Sequence, residues 1–131
     1  DSRIKALLLI PDNQVPTAKA RKLIPESISH HDATLNSTRT ALLVHALAQR
    51  PDLLFTATAD LLHQNYRESA MPKSIALINK LRGAGIAAVL SGAGPSVMIL
   101  YAGDESEIDQ IPALAPGFNA MKLAIAQGGV Q

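Results

Sequence analysis

The sequence has no cysteine and no tryptophan, and holds only two phenylalanines and two tyrosines. Without cysteine there are no disulfides and no thiolate metal sites, and the chain suits a reducing compartment, so a cytoplasmic location is the expectation. So few aromatics leave little to stack on bases, which argues against a single-stranded nucleic acid partner. An excess of one charge is lacking too. Twelve Lys and Arg stand against eleven Asp and Glu, a net +1, so no polyanionic partner is implied. No apolar run approaches the ~20 residues of a membrane span, and no signal-peptide pattern opens the chain. What is present is 131 residues, 47% hydrophobic and 18% charged. That suits one globular domain, able to bury about two-thirds of its unfolded surface. The first residue is Asp1 rather than methionine, so a processed chain or a piece of a longer one is expected.

Proline and glycine punctuate the chain. "IKALLLI", Ile4–Ile10, closed by Pro11-Asp12-Asn13, predicts a buried strand and a turn. "VPTAKARKLIP" predicts a short helix opening at Pro16 and stopping before Pro25. Asp32 is the expected N-cap of a helix running to about Gln49, with Leu35, Leu42, Leu43, Ala46 and Leu47 on its apolar face. Pro51-Asp52 predicts a further helix carrying Leu54, Ala57, Leu61 and Leu62. Pro72 opens another, with Ile75, Ile78 and Leu81 at helical spacing and Gly83 or Gly85 as its stop. Ile86–Leu90 and Val97–Tyr101 read as strands, Asp104 to about Ile111 as a short helix with an acidic first turn, and Phe118–Ile125 as a last strand before a Gly-Gly tail. The order predicts an α+β, ferredoxin-like split βαβ sandwich: a four-stranded antiparallel sheet with additional helices, covered on one face.

Between the Ile86–Leu90 and Val97–Tyr101 strands lies Ser91-Gly92-Ala93-Gly94-Pro95-Ser96. A tight hairpin needs about two turn residues. A longer loop with two glycines and a proline can bring bare backbone N–H groups close to a phosphate, or can be an ordinary connection. Thr17 and Arg21 are four apart and share a helical face, which suits an anionic ligand or a solvated surface. Arg67 sits in "HQNYRESAMP", a polar break between apolar segments. There its planar guanidinium can fork a carboxylate, or pair with Glu68 or another acid. Arg39 is expected on the exposed side of its helix. His30 and His31, adjacent on an irregular segment, and His45 and His63, within helices, show no zinc spacing, so no metal site is expected.

"SGAGPS" after a strand resembles the third, C-terminal glycine motif of the GHMP small-molecule kinases. With "PTAKARKLIP" and "NYRESAMP" in the same order, the chain is most similar to the C-terminal half of the homoserine kinase branch, over essentially its whole length. The resemblance implies that residues 1–131 are the GHMP kinase C-terminal domain, without the ATP-binding domain. It implies Mg2+·ATP-dependent phosphorylation of the L-homoserine hydroxyl on the route to threonine. It further implies that Arg21 and Arg67 hold the substrate carboxylate, that Thr17 lies nearby, and that Ser91 to Ser96 pack against the phosphate-binding loop. Pro16 departs from the serine expected before Thr17. The family's pattern P-x-x-x-G-L-G-S-S-A, which cradles phosphate at a helix N-terminus, occurs nowhere in the sequence. ATP and Mg2+ are therefore expected in a full-length enzyme, with no cofactor bound to this chain alone and no catalysis by it. The expected partners are L-homoserine and the missing domain, with a homodimer left open. Two alternatives remain: another GHMP branch such as diphosphocytidyl-methylerythritol kinase, and a free-standing ferredoxin-like module binding an amino acid for regulation.

Overall fold

The computed structural model describes residues 1–126. The Gly-Gly tail therefore lies outside the described residues. In chain order the elements are β1 (Lys5–Pro11), α1 (Thr17–Lys22), α2 (His30–Ala48), a 3-10 turn at Pro51–Leu53, α3 (Leu54–Ala57) and a 3-10 segment at Asn65–Ala70. They continue with α4 (Pro72–Gly83), β2 (Ala88–Leu90), β3 (Val97–Tyr101), a 3-10 turn at Glu105–Glu107, α5 (Ile111–Leu114) and β4 (Phe118–Ala124).

The four strands form one antiparallel sheet in the order β2-β3-β1-β4. β1 is central, running from Lys5↔Tyr101 to Leu9↔Val97 against β3 and from Lys5↔Ala124 to Pro11↔Phe118 against β4. This is the split βαβ arrangement expected from the element order. Alternation along the strands divides the side chains between two faces. Leu7, Leu9, Ala88, Leu90, Val97 and Ile99 meet Ile75, Leu77, Ile78 and Leu81 of α4 in the main core. Each large side chain buried there contributes about 1.5–3 kcal/mol of transfer free energy.

The expectation of helices on one face needs correction. Ala46 of α2 and Leu54 and Ala57 of α3 form a second cluster with Ile4 and Ala87, flanked by Leu42, Leu43 and Leu100. Leu100 is adjacent to Ile99 and so faces the opposite side. "VMIL" in β3 is apolar on both sides, and each side takes cover. The rest of that second face is open, with Met121 50% and Leu123 36% exposed.

Three helix boundaries also differ from expectation. Ser29, not Asp32, caps α2: its Oγ accepts the Asp32 N–H at 3.0 Å, leaving Asp32 as an acid in the first turn, where the helix dipole favours it. His30 and His31 thus open the helix rather than lie on an irregular segment. Of the apolar stripe expected on α2, only Ala46 is buried, and Leu35 and Leu47 are exposed. The helix after Pro51 stops at Ala57, leaving Leu61, Leu62 and His63 outside it. The Asp60 carboxylate competes for the backbone by accepting the N–H groups of Leu62, His63 and Gln64. Lastly, the expected helix from Asp104 to about Ile111 is only a 3-10 turn at Glu105–Glu107, capped by Asp104 through the Ser106 N–H, before α5 opens at Ile111 with Pro112 in its first turn.

Candidate functional site

The polar break in the sequence becomes the wall of a cavity. From Asp60 to Arg67 the chain folds back along the end of β2. Gln64, 8% exposed, accepts the Leu90 N–H on Oε1 at 2.7 Å, which ties the segment to the strand. A backbone N–H can bond only the amide oxygen, so Gln64 keeps its Nε2 as a donor. Arg67, also 8% exposed, donates from Nη1 to the Gly92 carbonyl at 3.0 Å. Its Nε is buried with no hydrogen-bond partner, and no acidic side chain among the described residues pairs with it. The expected alternative of an ion pair to Glu68 is thus not found. A buried guanidinium without a counter-ion is costly, and an unsatisfied buried donor costs about 1–3 kcal/mol. Asp60, His63, Gln64, Arg67, Leu90 and Gly92 are among the residues lining a cavity of about 350 Å³.

The glycine loop closes the other side. The Ser91 N–H donates to the Ser96 carbonyl at 2.8 Å, and the Gly94 N–H to the Ser91 carbonyl at 3.0 Å. Ser74 of α4, 2% exposed, donates from Oγ to the Pro95 carbonyl at 2.6 Å, and Ala93 packs against the main core. Arg67 and Ser74 thus hold the loop from the helix side. Gly94 has φ +80° and lies against Met71, where a Cβ would collide with Met71 Sδ and come within 3.2 Å of Leu90 Cδ2. Gly92 has φ +59° with open space around it, so only its backbone conformation requires glycine.

Asp60 also lines the cavity and organises the segment that follows it. Besides three backbone N–H groups it accepts a bond from His63 Nδ1 at 3.0 Å. Half-burial raises its pKa, but the hydrogen bonds from Gln64, His63 and Leu62 outweigh that and hold it below the usual carboxylate value. It is therefore an anion at neutral pH. The sequence reading gave no role to Asp60, His63 or Gln64: it placed His63 within a helix, and singled out only Arg67 from the polar break that holds Gln64. The acid three positions ahead of a histidine was the available signal.

Thr17 and Arg21 are both exposed on α1, whose only buried residue is Ala20. α1 touches the Asn65–Ala70 segment, but neither side chain lines the Arg67 cavity. Pro16 holds the N-cap position of α1 and supplies no side-chain cap. Arg39, expected on the surface, is half-buried and reaches the Ala59 carbonyl at 3.5 Å. No group of three or more metal-ligating side chains occurs among the described residues. No described helix is long and apolar enough to cross a membrane.

The family model "GHMP kinases C terminal" matches residues 39–114. The chain belongs to the GHMP kinase C-terminal family. It is 49% identical over 127 residues to the homoserine kinase of Streptomyces coelicolor, covering 96% of this chain and 40% of that protein. It is 40% identical over 126 residues to the homoserine kinase of Corynebacterium diphtheriae, covering 96% of this chain and 41% of the relative. This GHMP kinase domain thus spans about two-fifths of the length of the curated relatives it matches. A crystal structure of homoserine kinase from Cytophaga hutchinsonii shares its fold, with a TM-score of 0.78 at 22% identity, over 94% of this chain and 41% of that one.

Proposed function

We infer that this domain is the substrate-holding part of a cytoplasmic homoserine kinase, in which the ATP γ-phosphoryl group passes to the hydroxyl of L-homoserine. The observation that carries the reading is Arg67: a buried guanidinium with an unpartnered Nε, beside a small cavity and without a counter-ion. A substrate carboxylate supplies the missing acceptor and the missing charge together, through the parallel hydrogen bonds that a guanidinium fork favours. The Gly92 carbonyl holds the Nη1 end of the fork, so the guanidinium is oriented before the ligand arrives. Arg21 and Thr17, on exposed α1, would approach the same carboxylate from the rim as the site closes. Ser91 to Ser96, braced by Arg67 and Ser74, would form the floor against which a phosphate-binding loop packs.

Phosphoryl transfer depends mainly on positioning and electrostatic stabilisation, so anchoring the amino-acid end is a substantive share of the work. ATP and Mg2+ supply the phosphoryl group and neutralise its charge. In this reading they are held by the part of the relatives that the chain does not span, since its sequence lacks the phosphate-cradling motif. The reading requires no second copy of the chain. The test is steady-state kinetics of a full-length enzyme containing this segment. Arg67→Ala should raise KM for homoserine about ten- to a hundredfold, the loss of a charge-assisted pair worth about 1.5–3 kcal/mol, with KM for ATP unchanged. Equal effects on both substrates would point to a structural role instead.

A further inference from the structure

The cavity holds a second charged feature opposite in sign to Arg67, and the Arg67 role does not account for it. Asp60 and His63 both line it, and the His63 ring is half-exposed, 49% by side chain. As a carboxylate, Asp60 can only accept, so the 3.0 Å contact makes Nδ1 the proton-bearing nitrogen of His63. In the neutral imidazole Nε2 then carries the lone pair, and no hydrogen bond among the described residues occupies it. Three backbone N–H donors already hold the carboxylate in the turn, and the His63 ring adds a side-chain bond to it. The cavity lining therefore presents an unmatched cation and, separately, an acceptor backed by an anion. At about 350 Å³ the cavity lies near the lower end of the ~300–1,000 Å³ typical of ligand sites.

We propose that His63, fixed by Asp60, accepts a hydrogen bond from the α-ammonium group of the substrate, so that the cavity selects a zwitterionic α-amino acid rather than a simple hydroxy acid. This rests on the carboxylate reading of Arg67, and adds to it a determinant for the other charge. A neutral imidazole accepts from an ammonium group without itself becoming charged, and the carboxylate behind it favours the cation. The same carboxylate disfavours a second anion beside it. That sets the direction in which the substrate lies: carboxylate to Arg67, ammonium to His63, and side-chain hydroxyl out of the cavity.

The test uses the full-length enzyme with two substrates, L-homoserine and 4-hydroxybutyrate, which lacks only the ammonium group. Two substitutions separate ligand contact from structure. His63→Asn keeps an amide where Nδ1 bonds Asp60 but removes the group at Nε2. His63→Gln can place an oxygen near Nε2 but gives up the Asp60 bond. His63→Asn should lower kcat/KM for homoserine about ten- to a hundredfold, mostly through KM, and leave 4-hydroxybutyrate within about twofold. His63→Gln should recover part of the loss. A merely structural histidine predicts the reverse order, with His63→Asn mild, His63→Gln damaging and both substrates affected alike, and that result overturns the proposal. Arg67→Ala is the control, because both substrates carry a carboxylate. If it lowers both while His63→Asn discriminates neither, the ammonium assignment fails alone. If Arg67→Ala changes neither, the carboxylate reading itself is wrong.

Discussion

Gly92 and Gly94 both have positive φ, yet alanine at the two positions should have very different consequences. At Gly92, φ +59° lies in the left-handed region and a Cβ would meet nothing within 4 Å. The cost there is conformational, about 1–2 kcal/mol for a left-handed L-residue, partly offset by about 0.4–1 kcal/mol from a less flexible unfolded chain. The net loss is about 0–1.6 kcal/mol. At Gly94, φ +80° brings the same penalty, and the Cβ also collides with Met71 Sδ. Met71 is 4% exposed and packed in the main core, so its side chain cannot swing into solvent. Overpacking of that kind adds about 1–3 kcal/mol, for a total of about 1–4.6 kcal/mol. Urea denaturation of the two variants against the parent, read as the shift in midpoint at constant slope, measures both losses. A double-mutant cycle with Met71→Ala isolates the collision: Gly94→Ala should cost less in that background by about the overpacking amount. Equal losses at Gly92 and Gly94, or strict additivity with Met71→Ala, would refute the reasoning.

Other outcomes follow from the same geometry. Ser29→Ala removes the α2 cap and should cost about 1 kcal/mol in thermal or urea unfolding, while Asp32→Ala costs less because Asp32 contributes only its charge near the helix start. Asp60 has a folded-state pKa below its ordinary 3.8, so its contribution to stability is present above that value and lost as pH falls through the folded pKa. Urea midpoints measured from neutral to acid pH should therefore show a fall that Asp60→Asn flattens. Arg82 lies over the Phe55 ring at 4.5 Å and donates from Nη2 to the Phe55 carbonyl at 2.6 Å, tying α4 to α3. Arg82→Ala should cost about 1–3 kcal/mol in unfolding, more than Arg82→Lys, which keeps the charge without the fork.

How legible these features were depended on whether a local pattern or a tertiary contact decided them. β1, the β2–β3 hairpin and α4 were readable because apolar runs or helical spacing ended at proline and glycine. Arg67 was readable as a cation in a polar break, but not as buried, since nothing in "NYRES" says that Gly92 takes one end of its guanidinium. The second helical layer was not legible, because a strand apolar on both sides is compatible with cover on one face or two. Asp60 and His63 were lost to an overlong helix, and Gln64 was passed over in the polar break beside Arg67. "LLFTATADLLH" has helical spacing throughout, but α3 stops at Ala57, and the Asp60 side chain takes the three backbone N–H groups that a continued helix would use. Arg39 was misplaced for a related reason: helical phase puts it off the leucine stripe, but the carbonyl at Ala59 draws it in.

The most direct test of the central claim is a crystal structure of a full-length enzyme containing this segment, with L-homoserine bound. The account predicts that the α-carboxylate sits in the cavity between the Asp60–Arg67 segment and the glycine loop. Arg67 Nε and a terminal nitrogen should each lie about 2.7–2.9 Å from a carboxylate oxygen, with Nη1 still on the Gly92 carbonyl. A substrate carboxylate bound elsewhere, with Arg67 Nε still unpartnered, would contradict it.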